Sequence, residues 1–173
     1  GSLCKKYNKM FIVDAISGLA GDPLNIQESN IDFCFSNTNK GISGLPVISF
    51  VCAKKDSVER IRDIPRRNFY LSLLENYDYT EKSNQTPTTP QIPLFCMLRQ
   101  ALSELLEEGV ENRQKRYKEN SSLMRRRLSE LGFRFQLPEK HMSNVMTNVL
   151  IPKNYIYEEF HDQLKKEGYI IYP

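Results

Sequence analysis

Two short apolar runs, each leading to a charged residue, constrain this chain more than anything else in it. Met10-Phe11-Ile12-Val13 ends at Asp14, and Ile31-Asp32-Phe33-Cys34-Phe35 leads through Ser36-Asn37-Thr38-Asn39 to Lys40 and Gly41. Both runs are short, rich in β-branched and aromatic residues, and followed by loop-forming sequence, which predicts buried strands. If the two strands are parallel neighbours, a carboxylate and an amine leave one sheet at the same edge. Open α/β sheets bind their ligands at that edge.

A paired acid and amine suit pyridoxal phosphate chemistry. That cofactor needs a lysine to condense with its aldehyde and a carboxylate to keep its ring nitrogen protonated, so that the ring can take up electrons. Plainer readings stay open at this point. An aspartate after a strand commonly forms a turn or caps a helix, and Asn-x-Asn-Lys-Gly has turn composition.

The neighbouring residues narrow the choice. Phe11-Ile-Val-Asp-Ala-Ile-Ser-Gly-Leu-Ala-Gly21, followed by Ser36-Asn-Thr-Asn-Lys-Gly-Ile-Ser-Gly-Leu-Pro46, resembles the class V aminotransferases of the fold-type I architecture, over nearly the whole chain. Within that family the likeness is greatest to the branch that moves the amino group of 2-aminoethylphosphonate to pyruvate. The resemblance implies a pyridoxal 5'-phosphate enzyme in which Lys40 carries the cofactor and shuttles a proton, while Asp14 holds the pyridine nitrogen. It places Ile16 under the ring and Ser17 near the ring's polar edge, and adds Asn39 to the cofactor-binding set. Relatives use a Thr-Pro-rich segment to reach the cofactor phosphate of a partner subunit, which points to Thr89, with Thr88 the near alternative, and to a homodimer.

The implied fold class is α/β: a fragment of a fold-type I transferase, part of the large-domain sheet followed by a partial α+β small domain. Residues 1–109 would be the C-terminal half of the large cofactor-binding domain, and 110–173 part of the small one. The resemblance also implies a glycine-rich phosphate loop and a ring-stacking aromatic upstream, and a substrate-gripping arginine downstream. The chain therefore reads as a piece of a longer enzyme, weakly active or inactive alone. Competing readings are an alanine–glyoxylate or serine–pyruvate type aminotransferase, more remotely a cysteine desulfurase, and a catalytically silent folding or interaction fragment.

Composition adds bounds. A chain of 173 residues can bury about 70% of its unfolded surface, enough for one core. The four cysteines are scattered, which predicts reduced thiols in a cytoplasmic protein, with Cys34 and Cys52 as small core residues. No apolar run approaches the length of a membrane helix. His141 and His161 lack a second ligand at metal spacing, so no metal is expected.

Along the remaining chain, Val47 to Ala53 predicts a third strand, antiparallel by the resemblance. Asp56 or Ser57 would cap a short helix from Val58 to Ile64, and Arg66-Arg67 reads as either a phosphate-holding or a solvated pair. Residues 76–90 predict a polar loop. Leu94, Leu98, Leu102, Leu105 and Leu106 predict the apolar face of a helix ending at Gly109. A second helix runs to Leu131, with Tyr117, Met124, Leu128 and Leu131 inward. Arg113, Lys115, Arg116, Lys118, Arg125, Arg126 and Arg127 fall on its outer face. Glutamates interleave that basic run and no base-stacking platform accompanies it, so a solvated face is expected rather than a nucleic-acid site. Residues 133–137, 145–151 and 169–173 predict strands, and Ile156, Phe160 and Leu164 a helical stripe.

Overall fold

The computed structural model describes residues 1–172, so Pro173, the end of the last expected strand, lies outside them. Helix α1 (Ser2–Lys6) leads to a three-stranded sheet of β1 (Ile12–Asp14), β2 (Phe33–Asn37) and β3 (Ser49–Ala53), in that order across the sheet. β1 and β2 are parallel, pairing Ile12 with Phe33 and Asp14 with Phe35. β3 is antiparallel to β2, as expected, pairing Cys34 with Cys52. Ala15, Ile31 and Cys34 form the core of one face, with Phe11, Val13 and Leu19 against it.

The strands start later than the apolar runs suggest. β2 begins after Asp32, whose carboxylate accepts from the Phe11 amide at 2.7 Å and from the Ser57 hydroxyl at 2.6 Å. Desolvation pushes that carboxyl up, but the Ser57 hydroxyl and Phe11 amide, then Lys54 and Arg60, outweigh it and hold it below its ordinary value. Ser57 is therefore not a cap. It sits inside α2 (Lys55–Glu59), which starts earlier than expected and joins the sheet through Asp32. β3 lies at an edge, and its Cys52 is exposed rather than part of the core, whereas Cys34 is buried. Burial pushes the Cys34 thiol up, with Cys52 and Asp14 adding to the effect.

The polar stretch after Asn76 is not a loop throughout, because α3 covers Leu73–Ser83. Its first turn is capped by the Ser72 hydroxyl, which accepts from the Glu75 amide at 3.3 Å. Arg66, for its part, lies 2.8 Å from the Glu75 carboxylate. The long helices fall where periodicity puts them, as α4 (Ile92–Glu108) and α5 (Val110–Glu130), with Gly109 between them at φ 85°. Their faces differ from expectation. On α4 the buried residues are Ala101 and Leu105, while Leu102 and Leu106 are exposed. Ala101 and Leu105 pack on Ala20 and Ile42, beside Phe50 and Leu98.

On α5 the inward ridge is Arg113, Tyr117, Ser121 and Arg125, while Met124 and Leu131 face outward. Arg113 and Arg125 are only 5% and 6% exposed, so two of the seven outer-face cations are core residues. A buried guanidinium is tolerable only when its donors are used. Carbonyls from loops remote in sequence use them.

Beyond α5 the expected strands 133–137 and 145–151 reduce to a single antiparallel bridge, Phe135 to Val149. Two backbone bonds flank it, Gln136 to Asn148 at 3.1 Å and Leu150 to Arg134 at 2.7 Å. Helix α6 (Tyr157–Lys166) follows, with Ile156 and Phe160 exposed. Residues 169–172 form no strand.

Candidate active site

Because β1 and β2 are parallel, the backbone beyond Asp14 and the loop beyond Asn37 emerge at one edge. The Ala15 amide still donates to the Phe35 carbonyl at 2.9 Å, and the Ser36 hydroxyl to the Ala15 carbonyl at 3.2 Å, so the two exits are stitched together. Asp14 turns back on its own chain, one carboxylate oxygen accepting from the Ile16 amide at 2.9 Å. The Lys40 amine donates to the Ser17 hydroxyl at 2.8 Å. Asp14, Ile16, Ser17 and Lys40 thus line one cleft of about 600 Å³, which Gly18, Asp22, Ser143 and Met146 complete.

The loop that presents Lys40 is closed tightly. Thr38, fully buried, donates from its amide to the Ile48 carbonyl at 3.1 Å and from its hydroxyl to the Leu45 carbonyl. The Gly44 amide returns to the Thr38 carbonyl at 2.7 Å. Inside this loop the carbonyls of Gly41 and Ile42 accept from Arg113, at 2.9 and 3.4 Å. The arginine's other side contacts Glu108 at 2.6 Å. Arg116 and Arg113 together hold the Glu108 carboxyl down to about 2.

The opposite wall comes from the far end of the chain. Arg125 donates to the Met146 carbonyl at 3.0 Å, to the Ser143 carbonyl, and to the Thr147 hydroxyl at 2.9 Å. Asp22 binds the same loop, accepting from the Asn144 amide at 2.6 Å and from the Ser143 hydroxyl.

Not every expected residue joins the cleft. Asn39 is exposed in the bend before Lys40 and is not among the cleft's lining residues. Thr88 lines a separate opening of about 710 Å³, between the sheet and α3, in which Ile16 is the residue shared with the first cleft. Thr89 is exposed and lines neither. Asp22, Ser143 and Met146 were not expected. Asp22 reads in sequence as part of an Asp-Pro turn, and nothing near Ser143 announces a site. The buried arginines carry no local signal either.

The profile of the aminotransferase class-V family matches residues 1–171. The chain belongs to that family. Its fold is an α/β portion of the fold-type I architecture, and class-V aminotransferases depend on pyridoxal phosphate. One relative, the 2-aminoethylphosphonate–pyruvate transaminase of Lysinibacillus sphaericus (strain C3-41), is 37% identical over 175 residues. That match covers 100% of this chain and 48% of the relative. A bifunctional phosphonoacetaldehyde hydrolase/aminoethylphosphonate transaminase of Clostridioides difficile (strain 630) is 39% identical, over 100% of this chain and 28% of its own length. The chain therefore spans about half, or less, of the length of these relatives. Among solved structures, alanine–glyoxylate aminotransferase from Nostoc sp. superposes with a TM-score of 0.86 at 23% identity, over 96% of this chain and 45% of that one. Ureidoglycine–glyoxylate aminotransferase from Bacillus subtilis gives 0.76 at 26% identity, over 96% and 44%.

The cleft of this class-V chain fits one end of the family's cofactor. Lys40 makes no ion pair among the described residues; its contact is a neutral hydroxyl, which an arriving aldehyde displaces without separating charges. Asp14 uses one oxygen internally and presents a carboxylate at the same opening, with the apolar Ile16 alongside. Lys40 is the cleft's one cation. The ring and aldehyde thus find suitable partners, and the phosphate's charge finds none there.

Proposed function

We propose that this chain is part of a pyridoxal-phosphate-dependent aminotransferase that moves the amino group of 2-aminoethylphosphonate to pyruvate, giving phosphonoacetaldehyde and alanine. The observation that carries it is the meeting of Asp14 and Lys40 in one cleft at the carboxyl edge of two parallel strands. The names of the relatives at 37% and 39% identity support the choice of amino donor. The cofactor, when bound, supplies an electron sink for the carbon that carries the amine.

The chain's own residues do the rest. Lys40 binds the aldehyde end and, released from it, moves a proton at the amine-bearing carbon. Ser17 holds the Lys40 amine at 2.8 Å before that. Asp14 keeps a proton on the ring nitrogen, and Ile16 offers its side chain to the ring face. Residues 1–109 belong to the large domain in this reading and 110–173 to the small one. In the homodimer of the complete enzyme, Thr88 and Thr89 serve the partner's site rather than their own, in keeping with their place outside the cleft.

The test is spectroscopic. The protein is mixed with pyridoxal phosphate and dialysed, and visible absorbance is followed in the wild type and in Lys40→Ala. Retained absorbance that disappears in the variant supports the assignment. Equal retention in both rejects Lys40. A panel of amine donors given to the full-length enzyme then separates 2-aminoethylphosphonate from alanine and serine.

A further inference from the structure

We propose that Arg113 is a positioning residue for Lys40, holding the carbonyls of the two residues that follow the lysine and so keeping its amine aimed into the cleft. The proposal rests on Lys40 being the cofactor-bearing amine. Gly41 and Ile42 turn their carbonyls inward, and neither accepts a backbone amide among the described residues. Arg113 supplies what the loop lacks, reaching both carbonyls across more than seventy positions of sequence. Arg113 as a residue is 5% exposed, so little water can replace these partners.

Orientation is fixed from the other side. Glu108 takes the Arg113 Nε at 2.6 Å, and is itself gripped by Arg116 at 2.7 and 3.0 Å. With Nε so engaged, the planar fork of the arginine aims Nη1, which makes both carbonyl contacts, at the loop. Freeing the peptides at 41 and 42 lets the backbone at 40 swing, and the lysine amine loses the geometry that meets Ser17 at 2.8 Å. Arg116 provides an internal comparison, since it shares Glu108 but reaches no carbonyl of the loop.

The experiment reads the lysine directly and needs no cofactor. The protein is acetylated with limiting acetic anhydride, and the rate at each lysine is measured by mass spectrometry, with exposed Lys5 and Lys55 as references. In Arg113→Met the Lys40 rate rises about tenfold relative to those references, the equivalent of losing two buried hydrogen bonds. In Arg116→Met it stays within about twofold, as expected for an exposed ion pair. Arg113→Lys, with the charge kept but the fork gone, falls between. Wild-type labelling of Lys40 in a folded Arg113→Met protein overturns the proposal, as does an equal rise in Arg116→Met. If circular dichroism shows Arg113→Met unfolded, Arg113→Lys decides, and an unchanged Lys40 rate there overturns it. Failure of the full-length wild-type enzyme to retain pyridoxal phosphate would reject the cofactor reading while leaving the labelling result to stand by itself.

Discussion

Replacing Gly41 with alanine tests how rigidly the lysine loop is held. An ideal β-carbon at Gly41 would lie 1.9 Å from the Leu19 carbonyl oxygen, 3.1 Å from its carbon and 3.4 Å from the Ala20 β-carbon. A carbon–oxygen contact needs about 3.3 Å, so the loop must retreat by roughly 1.4 Å. The obstacle is backbone rather than the end of a flexible side chain. It belongs to the turn in which buried Ala20 already adopts φ 64°. Overpacking of this kind costs about 1–3 kcal/mol. The retreat also stretches the Arg113 bonds to Gly41 and Ile42, worth about 1 kcal/mol between them once partly kept. The sum, about 2–4 kcal/mol, corresponds to a fall in Tm of about 4–16 °C for a chain of this size. Thermal melts followed by circular dichroism measure it, and retained pyridoxal phosphate absorbance falls in parallel because Lys40 moves with its neighbour. Gly132→Ala is the contrasting case: φ is +86° and nothing lies within 4 Å of the new β-carbon. It loses only the torsional cost of about 1–2 kcal/mol and keeps its cofactor. A Gly41→Ala protein that melts within about 1 °C of wild type and retains cofactor normally would show that the loop yields freely, and the rigidity argument would fail.

Two further outcomes follow from the charged groups. Arg125→Met strips donors from the Ser143 and Met146 carbonyls and from Thr147, and should destabilise by about 2–4 kcal/mol in urea unfolding; an effect below about 0.5 kcal/mol would return Arg125 to the solvated surface. Glu108 has its carboxyl lowered from the usual 4.5 to about 2, chiefly by Arg116 and then Arg113, so its contribution is complete above about pH 4.5 and is lost as pH falls toward 2. Asp32 is shifted in the same direction. The urea midpoint should therefore drop through that acid range, and Glu108→Gln should flatten the drop; a variant with the wild-type slope would remove Glu108 from the account.

The two strands and their exits were legible because short β-branched runs with loops after them encode strand and exit together, whereas their starts were not, and β1 leaves Ile12 exposed instead of buried. Parallel pairing stood as a condition of that reading, which the register of β1 on β2 meets. Periodicity likewise found α4 and α5, and Gly109 marked the break between them. It misjudged which residues α5 buries, since an arginine on a helix reads as solvated until its partners are known. Those partners at Gly41 and Ile42 lie more than seventy positions away. Helix α3 was missed for its polarity, although Ser72 followed by Glu75 is the pattern of a helix start. The alternation in Phe133–Leu137 predicts a strand, but alternation says nothing about how long a partner strand runs alongside, and Gln136 and Leu137 lie in a bend. Here the pairing amounts to one bridge. Asp22 and Ser143 meet across 121 positions, and no local pattern foretells such a meeting.

Arg113 and Arg125 stand on one ridge of α5, twelve positions apart (125 − 113 = 12), or about 18 Å along the axis. Adding or deleting one residue between them would rotate one guanidinium by about 100° against the other and shift it by about 1.5 Å. Only one could then still find its carbonyls. The number of residues in that interval is thus a stricter constraint than the identity of most of them, and descendants of this sequence should vary freely there in composition but not in length.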